Sequence, residues 1–507
     1  MVYRTRAVNL RGMAGTVVEV EAHVALGLPA FSLVGRPDPA LAEARERVRA
    51  AVQSCGLTFP PRRITVNLLP ASEPKAGSGF DLAVAVCVLG AAGILATQTP
   101  EVVHLGELGL DGRVHPVRGI LPMVLACVAA GFTRVVVPSA DVAEARLVPG
   151  AQVTGVTHLA ELAARYGADV RVGALDPVRR TVAAAPPRVE PDLADVAGQE
   201  FARYALEVAA AGGHHLYLVG PPGTGKTMLA ARLPGILPDL TEAQAVEVTS
   251  VHSVAGTFEP SNGLLRRPPL EAPHHTASPA AIVGGGSGVP RPGAASRAHC
   301  GVLLLDEAPE FPARVLDTLR QPLESGRIRL DRAVGSADYP AGFQLVLAAN
   351  PCPCGRGSGK AVDCVCSSLQ RRRYAARLSG PLLDRVDIQV EVPRSTPGAL
   401  GAAPGEASAS VAERVASARR AMAARWRATP WQTNAAVPGA WLRSQHPLTH
   451  DAGREVRRAV ELGHLSLRGA DRVTRLAWTI ADLSGAERPG PDDVATAMTL
   501  RMRGRHE

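Results

Sequence analysis

Eight consecutive residues, Gly220, Pro221, Pro222, Gly223, Thr224, Gly225, Lys226 and Thr227, have the types and order that a polyphosphate requires of a protein. Glycines let main-chain N–H groups close around phosphate oxygens, the lysine reaches the β- and γ-phosphates, and the threonine hydroxyl holds Mg²⁺. The apolar run ending at Val219 and a helix expected to open at Met228 give the strand–loop–helix context that such a loop needs.

Two carboxylates follow, Asp306 and Glu307, at the end of the apolar run 302–305. A buried strand presents such residues at its C-terminal end, where ligands bind in open α/β sheets. Asp306 would orient the waters of Mg²⁺, and Glu307 would polarise an attacking water. The run 344–348 leads through Ala349 into Asn350, which would set a polar side chain beside the γ-phosphate; on its own, an Asn after a strand reads as a turn residue. Arg385 lies after a short helix and before the strand expected at 386–390. It could enter a neighbouring subunit's site as an arginine finger, or pair internally with Asp384 or Asp387. The first alternative makes the protein a ring.

Cys352, Cys354, Cys364 and Cys366 sit in one short loop rich in Gly and Pro. Four soft ligands suit tetrahedral Zn²⁺, although the one-residue gap within each pair is tighter than the usual two. Reduced thiols or a redox pair are the alternatives. Arg371, Arg372 and Arg373 follow, placed for phosphates or for solvent. Cys55, Cys87, Cys127 and Cys300 are scattered and read as reduced core residues. His274 and His275 have no evident third ligand and read as loop histidines, as does His299 beside Cys300.

These groups need elements to position them. The chain has 507 residues, enough for two to four domains. Aromatics make up 4%, so stacking platforms for single-stranded bases are few. The net charge of +8 is compatible with a polyanionic partner without establishing one. The N-terminus has no apolar signal region, and the longest apolar run, 82–96, contains Gly90 and Gly93 and is shorter than the roughly 20 residues of a membrane span. It is expected to be a buried helix in a cytoplasmic protein without membrane contact.

Short β-branched runs at 16–24, 64–68 and 135–137 alternate with Ala-rich stretches, which predicts an α/β unit over 1–180. A Pro-bearing linker covers 181–194, and continuous apolar strands at 216–219, 302–305 and 344–348 predict a parallel sheet over 195–394. A second linker, 395–410, leads to helices at 411–424 and 451–483 within a helical lid, 411–507.

The segments GPPGTGKTMLA, HHTASPAAIVGGGSGVPRPG, GVLLLDEAPEF, LRQPLESGRIRLDRA, AANPCPCG and SGPLLDRVDI, in this order, resemble the magnesium-chelatase-related AAA+ ATPases, in the ComM/YifB branch. The resemblance runs over nearly the whole chain and implies an ATP- and Mg²⁺-dependent homo-hexameric motor. Asn350 matches sensor 1 and Arg468 matches sensor 2, with Arg475 in reserve. Segment 247–290 matches an insert in helix 2, and 328–340 a hairpin before sensor 1. In related motors both face the central channel and touch nucleic acid; here Arg327, Arg329 and Arg332 lie on or beside that hairpin.

Residues 74–79 and 106–116 resemble the Lon-protease fold (ribosomal S5 domain 2-like). The nucleophile's place is taken by Gly79, with Ser78 out of register, and the base's by Met123, Lys75 being the other lysine in this region, so peptidase chemistry is not expected. The leading expectation is a ring ATPase that remodels or moves along DNA, as in branch migration. A magnesium-chelatase-type motor generally lacks the Lon-like part, and a scaffold with little turnover is at odds with Glu307 and Arg385.

Overall fold

The computed structural model describes residues 2–173, 176, 178, 190–286, 290–332, 335–357, 364–394 and 405–502. The expected linkers fall largely outside them, since 181–189 and 395–404 are not described.

The N-terminal unit is built on a seven-stranded mixed sheet. Its strand order is Ala30–Val34, Arg63–Leu69, Ala14–Ala25, Val2–Arg11, Val102–His104, Arg134–Pro138 and Gln152–Val156. Val2–Arg11 and Ala14–Ala25 form an antiparallel hairpin, and parallel strands extend the sheet beyond Val2–Arg11. The period-2 pattern is explicit in Arg63–Leu69, where Ile64, Val66 and Leu68 are buried and their neighbours are not. The apolar run 82–96 is only partly helical. The buried helix is Asp81–Ala91, and the chain turns away before Gly93. Asp81, buried at its start, is held by the Arg47 guanidinium at 2.6 Å and 2.9 Å.

The central unit carries a five-stranded sheet, all parallel, in the order Leu270–Glu271, Val302–Leu305, Gln344–Ala349, Leu216–Val219, Ile388–Glu391. Every residue of Val302–Leu305 and Gln344–Ala349 is buried, because both faces of the sheet are covered. Alternate side chains go to opposite faces: Val302, Leu304 and Val346 join one apolar cluster, while Leu303, Leu305 and Leu347 join another with Phe311 and Ile328.

The C-terminal unit is helical: Ser408–Arg425, Gly439–Gln445, His450–Glu461, Leu467–Ser484 and Pro491–Met502. The helix expected over 451–483 is two helices. The first stops at Glu461, and Ser466 caps the second by accepting the Gly469 N–H at 3.1 Å. Ser408–Arg425 packs on Glu200–Gly212, where Arg414 Nε meets Glu207 at 2.6 Å. A buried polar network links lid and sheet. Asp387 takes His214 Nδ1 at 3.0 Å and the Arg472 guanidinium, and His214 Nε2 meets Thr479 Oγ1 at 2.8 Å.

Among the described residues the N-terminal and central units touch at several places, two of which bear on the site. Helix Ile120–Ala129 packs against Glu242–Ala255, whose Ser253 hydroxyl donates to Glu144. The turn after Val2–Arg11 meets the hairpin of Arg327–Arg332 and Gly335–Pro340, where a Cβ on Gly12 would fall 2.6 Å from the Asp338 carbonyl oxygen. Among the described residues no helix is long and apolar enough to cross a membrane.

Candidate functional site

Strand order brings the sequence motifs together. Val219 pairs with Ala349, and Leu305 with Leu347, so the residues that follow these three strands share the carboxyl edge of the sheet. Pro222, Gly223, Lys226, Thr227, Asp306, Glu307, Ala349 and Asn350 line one cavity of about 180 Å³ there. The helix after the loop begins at Lys226, slightly earlier than expected, and runs to Ala230.

Lys226 is nearly buried and folds back over its own loop. Its ammonium donates to the carbonyls of Gly220 at 2.7 Å and Pro221 at 2.8 Å, and to Asn350 Oδ1 at 3.2 Å. Burial lowers its pKa, against the opposing pull of Asp306 and Glu307. Thr224 Oγ1 donates to the Pro221 carbonyl at 3.0 Å and holds the loop's shape. Thr227 Oγ1 donates to Asp306 Oδ2 at 2.7 Å, and Asp306 Oδ1 accepts the Glu307 N–H at 2.9 Å. The hydroxyl and carboxylate therefore converge as hard oxygen donors, the donor set that Mg²⁺ takes together with phosphate oxygens. The ammonium is spent on neutral carbonyls that an anion would displace.

Glu307 has a neighbour that the sequence did not announce. His275 Nδ1 lies 3.3 Å from Glu307 Oε2, and the His274 ring lies 4.1 Å from that of His275. The pair follows strand Leu270–Glu271, which runs beside Val302–Leu305, so strand order puts it near the carboxylates. Only that order could have disclosed the contact; the spacing of the histidines carries no signal.

Arg385 lies outside the cavity lining. Its internal partner is neither Asp384 nor Asp387 but Glu324, with a second bond to the Pro381 carbonyl at 2.6 Å. Burial, then the nearby Arg320, Arg472 and Arg468, push its pKa down. Arg468 is exposed beside this group, whereas Arg472 pairs with Asp387 and Arg475 is largely enclosed. Neither Arg468 nor Arg475 lines the cavity of the phosphate loop.

The sulfurs of Cys352, Cys354, Cys364 and Cys366 all lie within 4.8 Å of one another. Cys352 is 3.3 Å from Cys354 and 3.7 Å from Cys364, and Cys354 is 3.7 Å from Cys364. Zinc–sulfur bonds of about 2.3 Å in a tetrahedron separate sulfurs by about 3.8 Å, so the set is compatible with zinc. The Arg356 N–H leads in lowering the Cys354 pKa to about 6, while burial raises that of Cys352 to about 12. This knuckle is seated on the phosphate loop: a Cβ on Gly355 would lie 2.6 Å from Pro222 Cδ.

The predicted hairpin is present, with Arg327 and Arg329 exposed and Ile328 and Tyr339 buried. The Arg332 side chain lies outside the described residues. In the N-terminal unit Ser78 Oγ donates to Glu107, the buried Lys75 donates to the Pro70 carbonyl, and Met123 is buried.

Three family models match the chain: "Magnesium chelatase, subunit ChlI" over residues 192–400, "Subunit ChlI of Mg-chelatase" over 20–141, and "Magnesium chelatase, subunit ChlI C-terminal" over 405–501. The chain is 51% identical over 502 residues to the protein Rv2897c of Mycobacterium tuberculosis, covering 99% of both. It is 38% identical over 494 residues to the competence protein ComM of Haemophilus influenzae, covering 97% of this chain and 95% of that one. A stretch of 185 residues, 31% of the chain, is 30% identical to Lon protease 2 of Bacillus subtilis and covers 32% of it. With a Lon-like N-terminal unit, a parallel-sheet P-loop core and a helical C-terminus, the chain belongs to the magnesium-chelatase-related AAA+ ATPases, in the ComM/YifB branch.

Proposed function

We propose that the protein is the subunit of a homo-hexameric ring that hydrolyses ATP and uses the turnover to remodel DNA or move along it. The observation that carries this reading is the convergence of Lys226, Thr227, Asp306, Glu307 and Asn350 on one cavity at adjoining strand ends. Main-chain N–H groups of Gly223 to Thr227 hold the phosphates, and Lys226 exchanges its carbonyl partners for phosphate oxygens. Thr227 and Asp306 hold Mg²⁺, which when bound offsets charge on the phosphates. Glu307 draws the proton of the attacking water toward its carboxylate, and Asn350 fixes the γ-phosphate side. Arg385, with Arg468 beside it, serves the cavity of the adjoining subunit. Residues 395–404 aside, the lid is anchored through Asp387, two residues from Arg385, so a lid movement reaches that arginine directly.

Contact with DNA is supported by the exposed Arg327 and Arg329 on the hairpin, by the positive net charge, and by the competence relative. The four cysteines hold structural zinc in this reading, tying down a loop that has little core of its own.

The test is ATP turnover of the purified chain with and without branched or single-stranded DNA, at two salt concentrations. Turnover should rise with DNA, and DNA binding should weaken steeply with salt. Glu307→Gln should retain ATP and lose turnover about 100-fold or more. A chain that neither holds nucleotide with Mg²⁺ nor responds to DNA is not this motor.

A further inference from the structure

We propose that the groove between the lid and the central sheet is a second ligand site, built for a small organic anion that carries a flat ring, the chemistry of a nucleoside monophosphate. The site is separate from the ATPase reading, because it shares no residue with the phosphate-loop cavity and lies at the other edge of the sheet.

Gly213, Gly301 and Gly342 line this groove and fix its place. They precede the strands Leu216–Val219, Val302–Leu305 and Gln344–Ala349, so the groove opens at the amino edge, whereas Lys226, Asp306 and Asn350 stand at the carboxyl edge. Its volume is about 840 Å³, ample for a molecule of nucleotide size. The lid supplies the facing wall, with Arg419 and Ala423 one turn apart on the helix Ser408–Arg425 and Arg427 just past its end.

Charge in the groove is unbalanced. Arg419 Nε and Nη2 both donate to the Ala210 carbonyl, at 3.1 Å and 2.6 Å, in the last turn of Glu200–Gly212. Among the described residues no carboxylate meets this guanidinium, and burial pushes its pKa down to about 10 with nothing acting against it. An enclosed arginine ordinarily has an acidic partner. Arg427, exposed on the same wall, has no ion pair among the described residues either. The one acid in the lining, Asp239, is already held by Arg267 Nη1 at 2.8 Å. Two cations therefore face the groove without an anion between them.

The remaining lining suits a ring. Aromatics are 4% of the chain, yet Trp426, Trp431 and Phe343 all border this groove. Trp431 is half-buried and is braced by Trp441, with centroids 4.8 Å apart and the planes at 64°. A braced, partly exposed indole offers a flat surface at little entropic cost, and a guanidinium beside it takes the charge of the same molecule. Gln432 and Thr433 add side-chain donors and acceptors at the wall.

The readout is built in, since the chain's four tryptophans, Trp426, Trp431, Trp441 and Trp478, all belong to the lid. The experiment is a titration of the full chain followed by tryptophan fluorescence, with AMP, adenosine, inorganic phosphate and 5′-phosphorylated tetrathymidylate as probes. It is run on the unaltered protein, Lys226→Ala, Arg427→Gln and Ala423→Leu. AMP should give a saturable change in the unaltered protein and in Lys226→Ala alike, and adenosine or phosphate alone should bind at least about tenfold more weakly. Arg427→Gln should weaken AMP about tenfold, and Ala423→Leu, which fills the groove from an exposed helix position, should abolish the response with native circular dichroism. Tighter binding of the tetrathymidylate than of AMP makes the occupant a strand end; the reverse makes it a free nucleotide. No saturable response to either probe, loss of the AMP response in Lys226→Ala, or parental affinity in both Arg427→Gln and Ala423→Leu overturns the site. Turnover plays no part in this readout, so a chain without ATPase activity sinks the motor and leaves the groove to be judged on its own.

Discussion

Lys226 shows how the site accommodates a buried charge. The ammonium is nearly buried, yet it is satisfied by two loop carbonyls and Asn350, so no unpaired cation is left inside the protein. Hydrogen bonds to a charged group contribute about 1.5–3 kcal/mol each, so Lys226→Ala should weaken ATP binding at least tenfold, read by titration with a fluorescent nucleotide. Arg385→Ala should behave differently: nucleotide affinity close to normal and turnover reduced on the order of 1000-fold, because that guanidinium is outside its own subunit's cavity. The residues of the cavity were legible in the sequence because each sits in a short string of diagnostic types at the end of an apolar strand. His275 and Glu324 were not. Their partners lie far along the chain, and the pairings exist only because the fold brings those segments together.

At the level of elements, continuous apolar runs gave away the parallel sheet, since strands covered on both faces leave no polar alternation to confuse them. Helix ends were harder. The stretch 451–483 keeps its apolar spacing through the break between Glu461 and Leu467, and only the Ser466 cap marks the restart. The strand Ile388–Glu391 is tied to the lid by Asp387, where burial works against ionisation but is outweighed by His214 and Arg472, which hold the carboxyl well below the usual range. Asp387→Ala should cost about 3–5 kcal/mol, measured by chemical denaturation, because it strands a buried guanidinium. A carboxyl depressed in the folded state contributes its full stability above the unfolded pKa of about 3.9 and loses it as the pH falls further. The part of that cost that comes from the Asp387 carboxylate should therefore shrink as the pH falls below about 4. The cysteine knuckle has a comparable reach: with Gly355 against Pro222, removing the proposed zinc with a chelator should weaken ATP binding as well as loosen the loop, and a chelated protein with parental nucleotide affinity would separate the two.

Across the whole molecule, the three units were visible as changes in composition and pattern, but their mutual contacts were not, because surfaces that pack between units carry no periodicity of their own. Sizing chromatography with ATP and Mg²⁺ should shift the chain from small species to a six-fold assembly, and Arg385→Ala should still assemble. The N-terminal unit meets this motor at Glu242–Ala255 and at the hairpin. At the second contact no side chain intervenes, since main chain rests on main chain where Gly12 faces Asp338. A buttress of that kind has almost no compressibility. Any side chain placed at Gly12 must therefore part the arginine ribbon from the seven-stranded sheet, so this position couples the two units more tightly than any pair of packed side chains would.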